Sequence, residues 1–213
     1  MEPRITIALV DDDAAFLFSL AQRLQDKGFS VRSYREGASL LGDIDRGAHF
    51  DCICADVRMP GLSGLDIQQR LVARSKSMPL IMFTGYADME IAVSAMKAGA
   101  RDFVGKPIDE NRLTASIQSA VADARSRSRE VRESEQIAMR VAELSERQRQ
   151  VLDLMVKGLT SKQIASALEI NHRTVENYRA SIMERIGVGN VAQLVRVMMQ
   201  LEMARGPEHR SDM

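Results

Sequence analysis

The chain has 213 residues, of which 45% are apolar and 27% are charged, and its formal charges sum to zero. These values are typical of a globular chain with room for two domains, and they exclude a disordered chain and a strongly basic one. The sequence has no apolar run of the ~18 residues that a membrane-spanning helix needs, and no signal-peptide core near its start. We therefore expect a cytoplasmic protein with no membrane partner.

The cysteines predict no disulfide. Cys52 and Cys54 lie one residue apart in an apolar run, and we expect them to be small buried side chains that point to opposite faces of a strand. The alternative, a metal site, needs further ligands, and the three histidines (His49, His172 and His209) are scattered along the chain.

Residues 1–125 alternate short apolar runs with amphipathic stretches. Five runs predict strands, at Ile5–Val10, Ser30–Tyr34, Cys52–Ala55, Leu80–Phe83 and Asp102–Val104. Five stretches predict helices, at Ala15–Lys27, Gly37–Asp45, Gly64–Ser75, Asp88–Ala98 and from Asn111 onward. This alternation predicts an α/β fold with a five-stranded parallel sheet, covered by helices on both faces. Right-handed crossovers then bring the carboxyl ends of all the strands to one edge, where such folds bind ligands.

The rest of the chain has a helical pattern. Residues 125–135, RSRSREVRESE, are charged and poor in apolar residues. Residues 126–142 therefore predict a helical linker that continues the last helix of the sheet domain, with a weak dimer-forming helix as the alternative. Four helices follow: one after the capping box of Ser145 and Gln148, then Ser161–Leu168, then 172–186 after Asn171, and one from Asn190 to Leu201. A short helix, a tight turn and a longer helix predict a helix-turn-helix.

These patterns divide the chain into a sheet domain (1–125), the linker (126–142), an all-α domain of four helices (143–205) and a flexible tail (206–213). The last 71 residues, 143–213, carry 10 Lys and Arg against 9 Asp and Glu, a net charge of +1. Any contact with nucleic acid must therefore come from the local placement of a few cations.

Charged and hydroxyl side chains follow four of the predicted strands. Asp11, Asp12 and Asp13 close the first strand, and Asp56, Thr84 and Lys106 lie at the ends of three others. Adjacent carboxylates repel one another and lose hydration unless a cation compensates them, and Mg²⁺ takes such oxygen ligands. Each of these residues alone has an ordinary structural explanation, but their convergence favours a magnesium-dependent phosphoryl site. Asp13 has no predicted chemistry beyond starting the first helix.

In this interpretation Asp56 is a nucleophile that forms an acyl phosphate. Lys106 would pair with one phosphoryl oxygen as a point charge, and the Thr84 hydroxyl would donate to another. The alternative enzyme, an aspartyl-phosphate phosphatase, places its nucleophile in a DxDxT run after the first strand. Here the corresponding run, VDDDAAF, lacks that threonine. We therefore predict a protein that catalyses only its own phosphorylation and dephosphorylation, with no organic cofactor.

The segments LVDDD, ADVRMPGLSGL, IMFTGYAD and AMKAGARDFVGKP resemble the receiver domain of two-component response regulators. The resemblance implies a CheY-like (flavodoxin-like) fold that takes its phosphoryl group from a sensor histidine kinase. It implies Mg²⁺ held by Asp12, Asp56 and the Arg58 carbonyl, with Asp11 acting through water, and a cis peptide before Pro107.

The same resemblance implies a conformational switch in which Thr84 moves toward the phosphoryl group and Phe103 turns inward behind it. From the residues alone, Phe103 has a second interpretation, a plain core aromatic. Tyr86 departs from the histidine that similar receivers often have there, and we expect it to slow dephosphorylation together with Arg58.

The run from Leu144 to Asn190 resembles the LuxR-type helix-turn-helix, and its part RTVENYRASIMERI is similar to the FixJ-like branch of the NarL/FixJ family. The third helix would enter a major groove, and the second would touch the DNA backbone. The predicted DNA-binding residues are Lys162, Arg173, Thr174, Glu176, Asn177 and Arg179. Many similar domains carry lysine at the Glu176 position, so their base contacts do not transfer to this chain.

We therefore expect a response regulator that dimerises when phosphorylated and binds double-stranded promoter DNA, with RNA polymerase as a further partner. The apolar fourth helix is the expected dimer contact, although core burial alone also explains its composition. A receiver whose output domain binds a protein is the remaining alternative.

Overall fold

The computed structural model describes residues 4–74, 78–85 and 101–204. The chain divides into two compact units, residues 1–127 and residues 128–213. The predicted helix Asp88–Ala98 lies outside the described residues. Within the described ranges, no helix is long and apolar enough to cross a membrane.

The first unit contains a five-stranded parallel sheet in the order β2-β1-β3-β4-β5, which confirms the predicted α/β class. Its strands are β1 (Thr6–Val10), β2 (Ser30–Tyr34), β3 (Cys52–Asp56), β4 (Leu80–Thr84) and β5 (Asp102–Gly105). Its described helices are α1 (Ala14–Asp26), α2 (Gly37–Asp45), α3 (Gly64–Ala73) and α4, which begins here and runs from Glu110 to Ala142. The strands differ from the predicted ones by one residue at most at either end.

The sheet is buried on both faces because side chains alternate along each strand. In β1, Ile7 and Leu9 pack with α1 and the start of α4, and Ala8 and Val10 pack with α2 and α3 on the other face. Parallel pairing aligns the carboxyl ends of the strands, so that Val10 lies opposite Ala55, and Thr84 opposite Gly105. The strand-end residues of the sequence therefore share one edge.

The prediction that the two cysteines face opposite sides of their strand is wrong. Cys52 and Cys54 are two positions apart, side-chain direction in a strand has a period of two, and both therefore pack in the same core cluster. Both are free and fully buried, as expected. Hydrogen bonding with Cys52 and burial raise the pKa of the Cys54 thiol well above its usual value, which keeps it neutral.

Helix boundaries differ from the predicted ones where caps decide them. Helix α1 begins at Ala14 because the Asp13 carboxylate accepts hydrogen bonds from the N–H groups of Ala15 and Phe16. Helix α3 ends at Ala73, two residues before the predicted end. Asp13 thus has the helix-starting role expected for it.

The second unit contains the end of α4 and four further helices: α5 (Glu146–Val156), α6 (Ser161–Leu168), α7 (His172–Ile186) and α8 (Val191–Ala204). The capping box of Ser145 and Gln148 is present before α5, and a second one, of Thr160 and Gln163, precedes α6. Asn171 caps α7, and Asn190 accepts from the Gln193 N–H at the start of α8. The helices enclose one core, which includes Val151, Ile164, Val175, Ile182, Ile186 and Leu194.

Candidate phosphoryl site and nucleic-acid interface

Three carboxylates meet at the carboxyl edge of the sheet. Oxygen atoms of Asp11, Asp12 and Asp56 lie within 4.8 Å of one another. Asp11 is buried, at 1% exposure. Two hydrogen bonds hold it there: its N–H donates to Tyr34 O at 3.1 Å, and its Oδ1 accepts from the Asp13 N–H. Asp12 is exposed and Asp56 half-buried, so the cluster is open to solvent on the side of Asp12.

Lys106 lies between two of these carboxylates. Its Nζ is 2.7 Å from Asp11 Oδ2 and 2.5 Å from Asp56 Oδ2. Burial lowers the pKa of Lys106, but the hydrogen bonds and charges of the two aspartates outweigh it, and the pKa rises above its usual 10.5. Burial raises the pKa of Asp11, although Lys106 and the Asp13 N–H oppose that rise. The ammonium is therefore a permanent cation that compensates part of the negative charge of the cluster.

An aromatic residue that the sequence reasoning missed also contacts this cation. The Nζ of Lys106 lies 4.5 Å from the centroid of the Phe16 ring, and that ring packs edge-on against Phe83 at 5.7 Å. A cation over an aromatic face gains electrostatic stabilisation and loses access to water. The sequence signal for Phe16 is weak, because an aromatic residue in the first turn of an amphipathic helix is usually interpreted as an ordinary core residue.

The loop after β3 holds Asp56 in place. Its Oδ1 accepts a hydrogen bond from the Arg58 N–H at 3.2 Å, and its carbonyl oxygen lies where α3 begins. A Cβ on Gly64 would approach Asp56 O to 2.6 Å, so only glycine permits this packing at the first position of α3. The capping box of Ser63 and Asp66 then fixes the start of that helix.

The donor set of the cluster fits a hard divalent cation. Asp11, Asp12 and Asp56 offer only carboxylate oxygens, which Mg²⁺ prefers, and the open side leaves room for waters and a phosphoryl group. Nearby thiols and imidazoles, which would favour zinc, are absent from the acidic cluster among the described residues. The predicted fourth ligand, the Arg58 carbonyl, stays a prediction.

The two predicted switch residues are described to different extents. Thr84 ends β4 and pairs with Gly105, but its side chain and the whole of Tyr86 lie outside the described part of the chain. Phe103 is half-buried beside Met82, its strand partner, and its carbonyl accepts from Arg112 Nη2 at 3.1 Å. The peptide between Lys106 and Pro107 is cis, as expected.

Helix α7 presents a polar face at its N-terminal half. Val175 and Ile182 are buried in the core, which turns Arg173, Glu176 and Asn177 outward, where all three are exposed. Of the other predicted DNA-binding residues, Lys162 on α6 is exposed, and Thr174 and Arg179 are half-buried. The sequence reasoning did not anticipate that His172 Nε2 lies 4.0 Å from Glu176 Oε1 on the same face.

Family comparisons assign both units. The response regulator receiver domain family matches residues 7–118, and the bacterial regulatory protein luxR family matches residues 142–198. The transcriptional regulatory protein FixJ of Bradyrhizobium diazoefficiens is 40% identical over 197 residues, which cover 92% of this chain and 96% of that protein. The response regulator protein TodT of Pseudomonas putida is 38% identical over 197 residues, covering 92% and 86%.

Solved structures give the same assignment. The response regulator StyR superposes with a TM-score of 0.78 at 33% identity, covering 93% of this chain and 100% of that chain. Full-length FixJ from B. japonicum gives a TM-score of 0.59 at 40% identity and covers 93% and 97%.

A parallel α/β unit with an acidic cluster at its carboxyl edge, followed by a LuxR-type helical unit, defines a two-component response regulator. Within that class, this chain belongs to the NarL/FixJ family, with a receiver domain and a LuxR-type DNA-binding domain. Its relatives are transcriptional regulators, which leaves the phosphatase alternative without support.

Proposed function

We propose that this chain is a phosphorylation-dependent transcription regulator that receives a phosphoryl group on Asp56 from a sensor histidine kinase. The observation that supports it best is Lys106 Nζ, held 2.5 Å from Asp56 Oδ2 beside two further carboxylates. A nucleophilic carboxylate needs such positive charge beside it when an anionic donor approaches.

In the proposed reaction, an Asp56 oxygen attacks the phosphorus of the kinase phosphohistidine. The new P–O bond forms as the P–N bond breaks, and the histidine nitrogen leaves with the bonding electron pair and takes up a proton. Mg²⁺, held by Asp11, Asp12, Asp56 and the Arg58 carbonyl, would neutralise the phosphoryl oxygens. Lys106 exchanges its contact with Asp56 for one with a phosphoryl oxygen, and Thr84 donates to another.

The exchange of Lys106 and Thr84 contacts gives the receiver two states. We propose that movements of Thr84 and Phe103 change the surface of the receiver domain when Asp56 is phosphorylated. We also propose that the phosphorylated form dimerises. Helix α8 offers an apolar face for this contact, with Met199 and Met203 exposed at 54% and 81%. Coupling of this kind is commonly worth ~1–3 kcal/mol, which is a gain in affinity of about five- to 150-fold.

The output is DNA binding in the cytoplasm. Helix α7 would enter the major groove, where Asn177 suits adenine, Glu176 suits the cytosine amino group, and Arg173 suits guanine. Lys162, Thr174 and Arg179 would contact the backbone, and RNA polymerase is the partner through which promoter occupancy acts. We assign the receiver to residues 1–125, the linker to 126–142, the DNA-binding domain to 143–205 and a tail to 206–213.

The test is promoter footprinting with the full-length protein, with and without acetyl phosphate and Mg²⁺. We expect the wild type to gain at least about fivefold in occupancy. The Asp56→Ala variant should gain nothing, and the exposed Asp26→Ala control should behave as the wild type does. Equal occupancy for the wild type and Asp56→Ala would remove the phosphorylation switch. Binding that is independent of salt would favour the alternative of a protein-binding output domain.

A further inference from the structure

Helix α4 contributes to two separate cores. Its first turns bury Leu113, Ile117 and Val121 in the receiver, and its last turns place Ile137 and Val141 against the core of the DNA-binding unit. Between them, residues 126–133 are exposed on every side of the helix. The last turns of this helix are therefore an integral part of the DNA-binding unit, although the sequence predicts one continuous linker over residues 126–142.

Three arginines join the end of α4 to the helices of this unit. Arg140 Nη1 donates to the carbonyl oxygen of Ile186, the last residue of α7, at 3.2 Å. In the opposite direction, Arg185 Nη1 donates at 3.0 Å to the carbonyl oxygen of Glu143, the residue that follows α4. The same Nη1 lies 3.8 Å from the Glu143 carboxylate. A third bond runs from Arg149 Nη2 on α5 to Ala142 O at 2.6 Å. We call these three side chains and the carbonyls they reach the arginine lock.

The arginine lock compensates for an unfavourable arrangement of dipoles. The last carbonyls of a helix have no partner within the helix and carry partial negative charge. Here the carboxyl ends of α4 and α7 lie side by side, since the arginine of each end reaches the carbonyl of the other. Two like partial charges repel one another, and guanidinium groups placed between them supply both the missing donors and the opposite charge.

Gly187 makes the close approach possible. Its φ of 85° is left-handed and ends α7, and its N–H and that of Val188 both donate to Met183 O. A Cβ on Gly187 would lie 3.2 Å from Arg140 Nη1, so the guanidinium packs directly over the helix end. The geometry therefore couples the turn that ends α7 to a side chain of α4.

We propose that the arginine lock makes the last turns of α4 and helix α7 one rigid body. In this arrangement, Arg140 and Arg185 are positioning residues for the DNA-reading helix. A reorientation of α4 by the receiver would then be passed to α7 directly, and the loops between α5, α6 and α7 would not need to rearrange. We call this transfer of motion from α4 to α7 the relay, and the rigid connection of the two helix ends the coupling. The relay rests on the proposed DNA-binding function, whereas the coupling does not.

The coupling is tested without DNA, by amide hydrogen exchange of the full-length protein. We expect Arg140→Gln to speed exchange about two- to fivefold in two segments together, residues 139–144 and residues 183–188. Arg185→Gln should affect the same two segments, and Arg140→Lys should restore part of the protection because lysine can still donate one bond to Ile186 O. Strand β1 should be unchanged in every variant.

The control is Arg129→Gln, which removes the same charge from the exposed part of α4. Unchanged exchange in Arg140→Gln would overturn the coupling. A response of one segment without the other, or an equal response in the control, would overturn it as well.

The relay is tested by promoter affinity with and without acetyl phosphate. We expect Arg140→Gln to lose most of the gain in affinity that phosphorylation gives, and Arg129→Gln to keep it. If Arg140→Gln accelerates exchange but keeps the gain in promoter affinity, the relay is overturned and the coupling is supported. If the wild type itself shows no gain, the proposed function fails, and the exchange result still decides whether the two helix ends move together.

Discussion

At the scale of single residues, charge balance governs the phosphoryl site. Three carboxylates share one edge of the sheet, and Lys106 is the cation that contacts two of them. Breaking a buried ion pair costs more than the pair itself contributes, because the remaining charge stays buried without a partner. Here Asp11 is that buried charge, at 1% exposure.

The first prediction follows from this balance. Lys106→Met should destabilise the metal-free protein by about 2 kcal/mol, less than for a fully buried pair because Lys106 and Asp56 are partly exposed. Mg²⁺ should remove much of this deficit, because the cation replaces the missing positive charge. Urea denaturation in EDTA and in Mg²⁺ measures both, with Lys157→Met as a control for the loss of a surface lysine. An equal deficit in both buffers would contradict the proposed metal site.

The second prediction concerns Gly64. Its Cβ in an alanine variant would lie 2.6 Å from the backbone oxygen of Asp56, so α3 or the Asp56 loop must shift. We expect Gly64→Ala to cost about 2 kcal/mol, as overpacking commonly does, and to slow phosphorylation by acetyl phosphate.

Gly42 is the matched control for Gly64. It lies inside α2, and a Cβ there would meet nothing nearer than the end of the Arg46 side chain at 3.7 Å. Gly42→Ala should therefore stabilise the protein by about 0.5–1 kcal/mol and leave phosphorylation unchanged. Similar effects of both substitutions on stability and phosphorylation rate would show that the close approach at Asp56 has no consequence.

At the scale of elements, the start of α3 depends on a capping box that titrates. Ser63 Oγ donates to Asp66 Oδ2 at 2.6 Å and accepts from the Asp66 N–H, while the Ser63 N–H donates to the same carboxylate at 2.9 Å. The bond from the Ser63 side chain, followed by that from its backbone, lowers the pKa of Asp66 below its usual 3.8. The carboxylate therefore stabilises α3 only while it is ionised.

The third prediction is the pH dependence of that stabilisation. The folded-state pKa of Asp66 lies below the unfolded one, so its contribution is complete well above pH 3.8 and is lost as the pH falls through the folded value. Asp66→Ala should cost about 1 kcal/mol above pH 5, and less as the pH approaches 3. Urea denaturation across this range measures the difference, and a cost independent of pH would contradict the assignment.

At the scale of the whole molecule, the even charge balance limits how the protein holds DNA. The formal charges sum to zero, so attraction to DNA must come from a few cations on one face of the second unit. Two copies on a two-fold site double the number of these contacts, which makes the proposed dimer the means of reaching useful affinity.

The fourth prediction is the salt dependence of promoter binding. Each phosphate contact contributes about −0.9 to the slope of log K against log salt. Lys162→Ala removes one predicted contact from each protomer, so the slope of the dimer should become less steep by about 1.8. Fluorescence anisotropy at several salt concentrations measures it, with Lys157→Ala as the control. An unchanged slope would exclude a phosphate contact at Lys162.

Along the whole molecule, the strands and the helix caps are the features that the sequence predicts well. Strand positions were predicted within one residue because buried parallel strands are short apolar runs between clear turn signals. The caps at Asp13, Ser145 and Asn171 were equally readable, since a cap depends on residues only two or three positions away. The side to which Cys52 and Cys54 point was predicted wrongly, although the period of a strand determines it.

Contacts between distant segments could not be read in this way. The Phe16 ring over Lys106 joins residues far apart in the chain, and either residue alone has an ordinary interpretation. The arginine lock is a similar case, because Arg140 and Arg185 look like solvated surface arginines until the ends of α4 and α7 are placed side by side.

The amino-acid sequence by itself determined the α/β class, the helix-turn-helix pattern and the residues that end each strand, because periodicity and capping act over a few residues. The tertiary structure alone decided which of those strand ends touch. It placed Lys106 between Asp11 and Asp56, and it joined the last turns of α4 to α7. Each of these contacts depends on how the core of its own unit packs, and packing brings together groups that no local pattern relates.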